Sequence, residues 1–387
     1  MNNQKNHAAI ELKGISKRFG SVVANNNIDL SVRQGEILAL LGENGSGKTT
    51  LMNILAGIYR PDAGEICING EHVTINSPED ANKLGIGMIH QHFKLVDVHS
   101  AVDNIILGSK KEGFILKKSR SRKIKDISAK FGLEIDPDKK VYNMSVSEKQ
   151  TVEILKVLYR GADILILDEP TAVLTPQETK KLFDILRKMK QNGCAVIIIT
   201  HKLNEVMEIS DRVTILRKGE SIETVETRDC DAHKLTELMV GRPIELSIDR
   251  PDAGGTDPML EIHRLTVTND EGVDALKDVT FDLRRGEILG VAGVAGSGQK
   301  ELCEAVAGLV PVRAILYNRE NIVGKTPEEI IRLGISMSFI PEDRLGMGLA
   351  ASMGIAENML LKTYKAGKGP FVRRKDSRRL AKKIVDK

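Results

Sequence analysis

A glycine-rich segment near the amino terminus has the residue types and spacing to wrap a phosphate group. It fits the pattern Gly-x-x-x-x-Gly-Lys-Ser/Thr and runs through Gly42, Glu43, Asn44, Gly45, Ser46, Gly47, Lys48 and Thr49, with Thr50 next. Glycines let the backbone approach an anion closely, and N–H groups at a helix start then point at the phosphate. Lys48 can reach the β- and γ-phosphates, and Thr49 can offer its hydroxyl to Mg²⁺. The motif predicts a site for a nucleoside triphosphate with Mg²⁺.

Two acids follow an aliphatic run, which predicts the second half of such a site. The run Ile164–Leu167 is strand-sized and is followed by Asp168 and Glu169. Ligands of open α/β sheets bind at the carboxyl ends of strands, so Asp168 can hold Mg²⁺ through water and Glu169 can accept a proton from an attacking water. The alternative is an acidic strand end that faces solvent.

His201 follows another aliphatic run, Ala195–Thr200. A histidine in this position is often a structural residue. At the end of the strand that follows Asp168 and Glu169 along the chain, however, it can reach a γ-phosphate, and the sequence favours that function.

The predicted strands and helices that would carry these residues alternate along the chain. Short aliphatic runs predict buried strands at 37–41, 164–167, 195–200 and 213–216, and apolar periodicity predicts helices at 49–55, 152–159 and 175–190. Pro176 after Thr175 indicates a capped helix start. Alternation of strand and helix predicts an α/β fold with a largely parallel sheet.

The chain repeats itself. The segment Arg33–Gly47 has a similar partner at Arg284–Gly298, 251 residues later. We therefore predict two copies of one domain, with the first at 8–245, a Pro/Gly/Asp-rich linker at 246–258 and the second at 259–387. The second copy is expected to stop before the counterpart of Ser145.

Composition limits the possible protein classes. The chain has 387 residues, with 41% hydrophobic and 28% charged residues, as in ordinary globular proteins. No apolar run reaches the roughly 18 residues of a membrane span, and the first residues lack the apolar core of a signal peptide. The four cysteines stand far apart, which predicts reduced thiols. The net charge of +4 is concentrated in residues 362–387, whose eleven Lys/Arg and two acids favour a solvated helix face over a nucleic-acid surface.

These motifs together resemble the ATP-binding cassette of ABC transporters, over about residues 10–387. The run Asp168–Glu178, the segment Val152–Gly161 and Pro341–Arg344 are similar to the ATPase subunits of bacterial sugar and nucleoside importers. The resemblance implies a P-loop NTPase fold of the ABC type, with a mostly parallel core sheet, an antiparallel β subdomain and a helical subdomain. It implies this fold in tandem, with the second copy incomplete.

The resemblance also implies roles for individual residues. Phe19 would stack on adenine, and Gly42 to Thr50 would hold the triphosphate. Gln91 would touch Mg²⁺ and the attacking water, while Asp168 and Thr49 would complete the metal site. Glu169 would be the catalytic base and His201 the residue that contacts the γ-phosphate. The insert between about 93 and 145 would couple to a membrane subunit.

Departures from the family pattern matter for activity. The signature motif, usually LSGGQ, here reads Met144-Ser-Val-Ser-Glu148, so Ser147 replaces a glycine and Glu148 a glutamine. In the second copy Gln299 stands where Lys48 stands in the first, and Lys300 replaces the hydroxyl residue. Cassettes of the family pair head to tail. We therefore expect the second copy to bind nucleotide weakly, and the chain to hydrolyse ATP slowly unless another polypeptide completes the site.

The implied function is ATP binding and hydrolysis in an importer of a simple sugar or a nucleoside. The implied partners are transmembrane permease subunits, a second cassette in a homo- or heterodimer and, indirectly, a periplasmic or lipoprotein solute-binding protein. The chain would then lie at the cytoplasmic face of the cell membrane, and no nucleic acid is expected. Two alternatives stay open: a truncated or regulatory cassette that binds ATP without turnover, and a soluble cassette ATPase outside transport.

Overall fold

The computed structural model describes most of the chain, in two compact units, Met1–Ile248 and Asp249–Lys387. The described residues are 8–90, 93–108, 117–243, 257–268, 272–293, 296–310, 315–317, 320–333, 340–341, 348–361 and 372–386. In the described residues no helix is both long and apolar enough to cross a membrane.

The first unit contains two sheets. Its strands are β1 (Ala8–Phe19), β2 (Val22–Arg33), β3 (Ile37–Leu41), β4 (Ala63–Ile68), β5 (Glu71–Val73), β6 (Ile86–Ile89), β7 (Ile164–Asp168), β8 (Ala195–Ile199), β9 (Arg212–Arg217) and β10 (Glu220–Glu226). The core sheet has the order β10-β9-β3-β8-β7-β6, and the smaller sheet has the order β2-β1-β4-β5.

The core sheet is parallel except at one edge. Strand β3 lies between β8 and β9 and pairs with both in parallel, and β7 lies between β8 and β6. Only the edge strand β10 runs antiparallel to its neighbour, β9. All residues of β3, β7 and β8 are buried, as expected for strands covered on both faces. The carboxyl ends of β3, β7 and β8 therefore meet at one edge of the sheet.

Helices cover the core sheet of the first unit. They are α1 (Lys48–Leu55), α2 (Pro78–Lys83), α3 (Ala101–Ile106), α4 (Lys117–Phe131), α5 (Val146–Tyr159), α6 (Pro176–Gln191), α7 (Leu203–Ile209) and α8 (Ala232–Val240). Helices α3 to α6 pack on one face of the sheet, in a cluster that includes Ile105, Leu155 and Phe183. Helix α1 packs between the other face and the antiparallel sheet, through Leu51 and Met52.

The second unit contains an antiparallel sheet with helices. Its strands β11 (Pro258–Thr268), β12 (Asp274–Arg284), β13 (Ile315–Tyr317) and β14 (Glu320–Asn321) form a sheet in the order β12-β11-β13-β14. Its described helices are α9 (Gln299–Val306), α10 (Pro327–Arg332), α11 (Ile355–Leu361) and α12 (Lys375–Val385). In the described part of this unit, residues 288–293 belong to no strand.

The predicted strands and helices of the first unit are confirmed, with one shifted boundary. The helix predicted from Val152 begins six residues earlier, at Val146. Ser145 caps it in a capping box with Glu148, a Ser-x-x-Glu pattern that marks a helix start. Thr175 caps α6 in the same way, and Pro176 is its first residue, as predicted.

Candidate functional site

The glycine-rich loop is held closely by its neighbours. A Cβ atom at Gly42 would collide with the Leu216 carbonyl oxygen, and one at Gly47 would collide with the Ala24 carbonyl oxygen. Gly47 also has a φ of 97°, which favours glycine. At Gly45, by contrast, a Cβ would meet nothing within 4 Å. The loop is therefore packed against protein on its inner side and open on the side where a ligand can approach.

Lys48 points back into this loop. Its Nζ donates hydrogen bonds of 2.8 Å to the carbonyl oxygens of Gly42 and Glu43, and it lies 3.4 Å from the Ser46 hydroxyl. The residue is buried, and this desolvation lowers the pKa of its ammonium group, against the opposing effect of Glu169 and Asp168. The ammonium group thus lies inside the concave loop that the sequence predicts to bind a triphosphate.

Thr49 at the start of α1 meets Asp168 at the end of β7. The Thr49 hydroxyl donates to a carboxylate oxygen of Asp168 at 3.4 Å, although the two residues are 119 positions apart. Burial raises the pKa of the Asp168 carboxyl, with a further contribution from the nearby charge of Glu169. Oxygen ligands of this kind suit Mg²⁺. A divalent cation bound here would compensate the negative charge of this desolvated carboxylate.

Glu169 and His201 form a contact at the ends of β7 and β8. His201 Nδ1 lies 3.0 Å from Glu169 Oε1, and the imidazole is 53% exposed. Glu169 has a φ of 46°, an uncommon conformation for a non-glycine residue that costs of the order of 1 kcal/mol. Its N–H donates to the Ile199 carbonyl oxygen at 2.9 Å, which holds the residue in this conformation. Strain of this kind often occurs where a side chain must point at a ligand.

Phe19 ends β1 on the hairpin that also contacts the glycine-rich loop. Its ring is 43% exposed and packs edge-to-face on Tyr59, with centroids 5.1 Å apart. On the next strand of the hairpin, the Asn25 amide donates to the Gly47 carbonyl oxygen at 3.1 Å. Phe19 therefore presents an exposed aromatic face on an element anchored to the loop. Tyr59 was not predicted from the sequence, because a lone tyrosine after a helix carries no signal.

Not every predicted site residue falls within the described part of the chain. Gln91 lies outside the described residues, and its role remains a prediction. The exposed Glu43 and Asn44 and the half-buried Thr50 lie on or beside the loop. The described strand ends thus bring together Lys48, Thr49, Asp168, Glu169 and His201, as the sequence predicted.

The carboxylate of Glu148, in the altered signature motif, has hydrogen-bond partners nearby. Glu148 turns back to accept a hydrogen bond of 2.8 Å from the Ser145 N–H, and Lys139 Nζ donates to its carboxylate at 2.7 and 2.9 Å. The bond from Lys139, followed by the one from the Ser145 N–H, lowers the pKa of the Glu148 carboxyl. The negative charge at this position is therefore paired with Lys139.

The described residues on either side of 294–295 in the second unit resemble their counterparts in the first, but Gln299 replaces the lysine. Gly298 has a φ of 91° and precedes α9, as Gly47 precedes α1. The Gln299 amide lies close to Gly293 in the second unit. At the equivalent place in the first unit, Lys48 Nζ lies close to Gly42 and donates to its carbonyl oxygen. A neutral amide provides no charge for a triphosphate, so this loop is a poor match for the ligand that suits the first one.

Comparisons with known proteins agree with the predicted ATP-binding cassette. Residues 25–172 match the family model described as ABC transporter. The chain is 49% identical over 359 residues to the guanosine import ATP-binding protein NupO of Bacillus subtilis, covering 92% of this chain and 70% of that protein. It is 41% identical over 388 residues to the glucose import ATP-binding protein TsgD13 of Haloferax volcanii, covering 92% and 70%. The solved structure of cbiO1 from Clostridium perfringens, part of an ABC transporter complex, matches 60% of this chain and 93% of its own with a TM-score of 0.54 and 26% identity.

The fold and the loop define a P-loop nucleotide-binding protein of the cassette type. With relatives of this identity and coverage, the chain belongs to the ATP-binding proteins of ABC transporters.

Proposed function

We propose that the chain is the ATP-hydrolysing subunit of an ABC importer. The single observation that carries this proposal is the convergence of Lys48, the Thr49–Asp168 pair and the Glu169–His201 pair at one edge of a parallel sheet. A protein that only binds phosphate would need Lys48 but neither of the two pairs. The added acid and histidine supply what an attacking water requires.

The proposed chemistry is transfer of the γ-phosphoryl group to water. Lys48 would neutralise phosphate charge, and bound Mg²⁺, held through Thr49, Asp168 and Gln91, would add the charge stabilisation usual in such sites. Glu169 would accept the proton of the attacking water, and His201 would hold the γ-phosphate oxygens beside it. The 3.0 Å contact between His201 and Glu169 supports this division of roles, because it orients both side chains.

A groove in the first unit is the proposed contact with the permease. It has a volume of about 270 Å³ and an apolar lining that includes Ile58, Met88 and Val157. Lys94, Lys156 and Arg160 stand around it. A short helix or loop with apolar side chains and an acidic residue would complement this surface. Such a contact would place the chain at the cytoplasmic face of the membrane through its partner.

A nucleoside is the proposed solute class, on the strength of the likeness to NupO. A simple sugar is the second candidate, favoured by the likeness to TsgD13, which is somewhat less similar. Uptake of labelled guanosine, ribose and glucose by cells that express the chain with its permease separates the two. Guanosine uptake that disappears in Lys48→Ala cells supports the first, and sugar uptake that disappears supports the second.

Single-turnover hydrolysis of γ-labelled ATP by the full chain tests the enzymatic proposal. We expect a slow rate for the chain alone, acceleration on adding permease, and a rate at least about 100-fold lower for Glu169→Gln, with ATP affinity retained. Glu208→Gln, an exposed acid on α7, is the control and should hydrolyse normally. Hydrolysis by Glu169→Gln at the original rate would refute its role as the base.

A further inference from the structure

One face of helix α5 carries charged side chains that bind backbone groups of other segments. Glu153, Lys156 and Arg160 recur at intervals of three and four residues, so they lie on the same side of the helix. Arg160 donates to the Leu107 carbonyl oxygen at 2.8 Å. Charged side chains on a helix usually face solvent, so a row that engages backbone points to a specific task.

Two of these side chains hold the same residue from both sides. The Lys94 N–H donates to Glu153 Oε1 at 2.9 Å, and the Lys94 carbonyl oxygen accepts a hydrogen bond of 2.9 Å from Lys156 Nζ. Glu153 is only 5% exposed, and its carboxylate lies 3.7 Å from Lys156 Nζ. The two side chains thus pair with each other and together bind both peptide groups of Lys94.

The clamped residue lines the proposed docking groove and follows Gln91 closely in the chain. Strand β6 ends at Ile89, and Lys94 follows five residues later, just beyond Gln91 in the chain. Lys94, Glu153 and Lys156 also line the groove assigned to the permease. These hydrogen bonds therefore join the backbone just after Gln91 to two side chains that line the groove.

Helix α5 is also tied to the strand end that bears the proposed base. The buried Gln150 amide donates to the Pro170 carbonyl oxygen at 2.8 Å, directly after Glu169. The helix begins at Val146, and Ser145 caps it, within the motif that faces a partner cassette in this family's arrangement. One rigid helix therefore connects the segment after Gln91, the residue after Glu169 and the signature motif.

We infer that Glu153 and Lys156 form a clamp on the peptide groups of Lys94, through which residues 93–96 and helix α5 respond to MgATP as one unit. The inference rests on the proposed function in taking MgATP as the trigger. Glu153 and Lys156 are positioning residues, because they act through the backbone of Lys94 and not on the nucleotide. A carboxylate that accepts an N–H bond in a buried place is roughly twice as strong an acceptor as a neutral group, which suits a contact that must survive movement.

Hydrogen exchange of the full chain, followed by mass spectrometry with and without MgATP, tests the clamp. In the wild type, MgATP should slow exchange in peptides covering 93–98 and 145–152 together. Glu153→Met keeps the side-chain volume but removes the acceptor. Without nucleotide it should speed exchange of the Lys94 amide by about tenfold or more, as expected for loss of a hydrogen bond to a charged group. With MgATP the response of 145–152 should be lost, and Lys156→Met should also lose it.

Matched variants separate a coupling role from a packing role. Glu153→Gln keeps an acceptor oxygen and should restore the joint response. Asp184→Asn, which removes the acid of an exposed pair with Arg187 on α6, should leave it unchanged. Calorimetry should give an MgATP affinity for Glu153→Met within about threefold of wild type, because the side chain does not contact the glycine-rich loop.

Several outcomes would overturn the inference. A joint response that persists in both Glu153→Met and Lys156→Met, or failure of Glu153→Gln to restore it, removes the coupling role. Unchanged exchange of the Lys94 amide in nucleotide-free Glu153→Met removes the clamp itself. A wild-type chain that binds no MgATP would refute the proposed function and the response to nucleotide, while the nucleotide-free exchange would still decide whether the clamp exists.

Discussion

Two segments of this chain that begin with the same four residues have different structures in the two units. Gly35–Leu41 and Gly286–Ala292 share the sequence Gly-Glu-Ile-Leu. In the first unit Ile37 begins the fully buried strand β3, whereas in the second the equivalent Ile288 is 98% exposed and belongs to no strand. The run is thus a strand where other strands flank it, and it is exposed where none of the described strands does.

The flanking strands explain the contrast. In the first unit β3 pairs along its length with β8 on one side and β9 on the other. Both neighbours come from residues more than 150 positions away, as parallel pairing requires a crossover. Among the described residues of the second unit, no strand pairs with 288–293. The hairpin of β11 and β12 forms there nonetheless, because antiparallel strands need only a short connection.

The largest expected difference between the two units is in the stability that a buried leucine of this aliphatic run contributes. Leu38→Ala should lower the free energy of unfolding of the first unit by about 2–5 kcal/mol, because it leaves a cavity beside a side chain that is fully buried. The equivalent Leu289→Ala is the matched control and should change stability by less than about 0.5 kcal/mol. Denaturant unfolding followed by circular dichroism measures both. Equal effects would show that the second run is packed in solution.

The next contrast concerns the two glycine-rich loops. Lys48→Ala should weaken binding of MgATP to the full chain by at least about 100-fold, because it removes a charged donor from the loop interior. Gln299→Ala should leave the affinity unchanged, since the second loop holds only an amide at this position. Isothermal titration calorimetry measures both variants. Undiminished affinity in Lys48→Ala, or a loss in Gln299→Ala, would reverse the assignment of the working loop.

A smaller effect is expected at the aromatic surface. Phe19→Ala should weaken MgATP by about 3- to 10-fold, a loss typical of one aromatic contact, while binding of inorganic triphosphate stays the same. Tyr59→Ala should have a weaker effect in the same direction, because Tyr59 supports the Phe19 ring edge-to-face. Competition titrations with ATP and triphosphate measure this. If the variant loses affinity equally for ATP and for triphosphate, Phe19 does not contact the adenine base.

The smallest expected effect concerns the buried acid. The pKa of Asp168 is raised in the folded protein, so the folded state holds its proton more tightly than the unfolded chain does. Stability therefore falls as pH rises through that raised pKa. Asp168→Asn should stabilise the nucleotide-free protein at pH 7 by up to about 1 kcal/mol, and the gain should shrink as pH falls to about 4.

Thermal unfolding across this pH range checks that trend, with the exposed Asp184→Asn as a control that should show none. A destabilised Asp168→Asn protein at pH 7 would mean that the bond from Thr49 outweighs the cost of burial. In either case MgATP should stabilise the variant less than the wild type, since the variant loses a carboxylate oxygen that is proposed to hold the cation.

The sequence predicted much of the site because local rules suffice there. A glycine-rich loop between a strand and a helix has few possible shapes, and both loops adopt φ values near 90° before their helices. Aliphatic runs followed by Asp168-Glu169 and by His201 located the strand ends correctly. The start of α5 was predicted six residues late, although Ser145 and Glu148 offered a capping signal, because the motif was interpreted by its family role.

Other features could not be predicted from local patterns. The clamp joins Lys94 to Glu153 across 59 positions, and nothing near Lys94 marks its peptide groups as partners. The pairing of Glu148 with Lys139 likewise depends on how the chain folds back before α5. Such contacts arise from the packing of whole helices, which no short window of sequence contains.

The loop chemistry follows from the sequence alone: Lys48 and Thr49 stand in the first glycine-rich loop, and Gln299 and Lys300 stand at the matching positions of the second. Whether Gly-Glu-Ile-Leu becomes a buried strand, which side chains share the edge of the sheet and which charges are paired depends on the tertiary structure. Backbone conformation at glycines and helix caps follows from neighbouring residues. Burial and strand pairing depend on segments far away in the chain, whose hydrogen bonds and apolar surfaces must be present before the run can be buried.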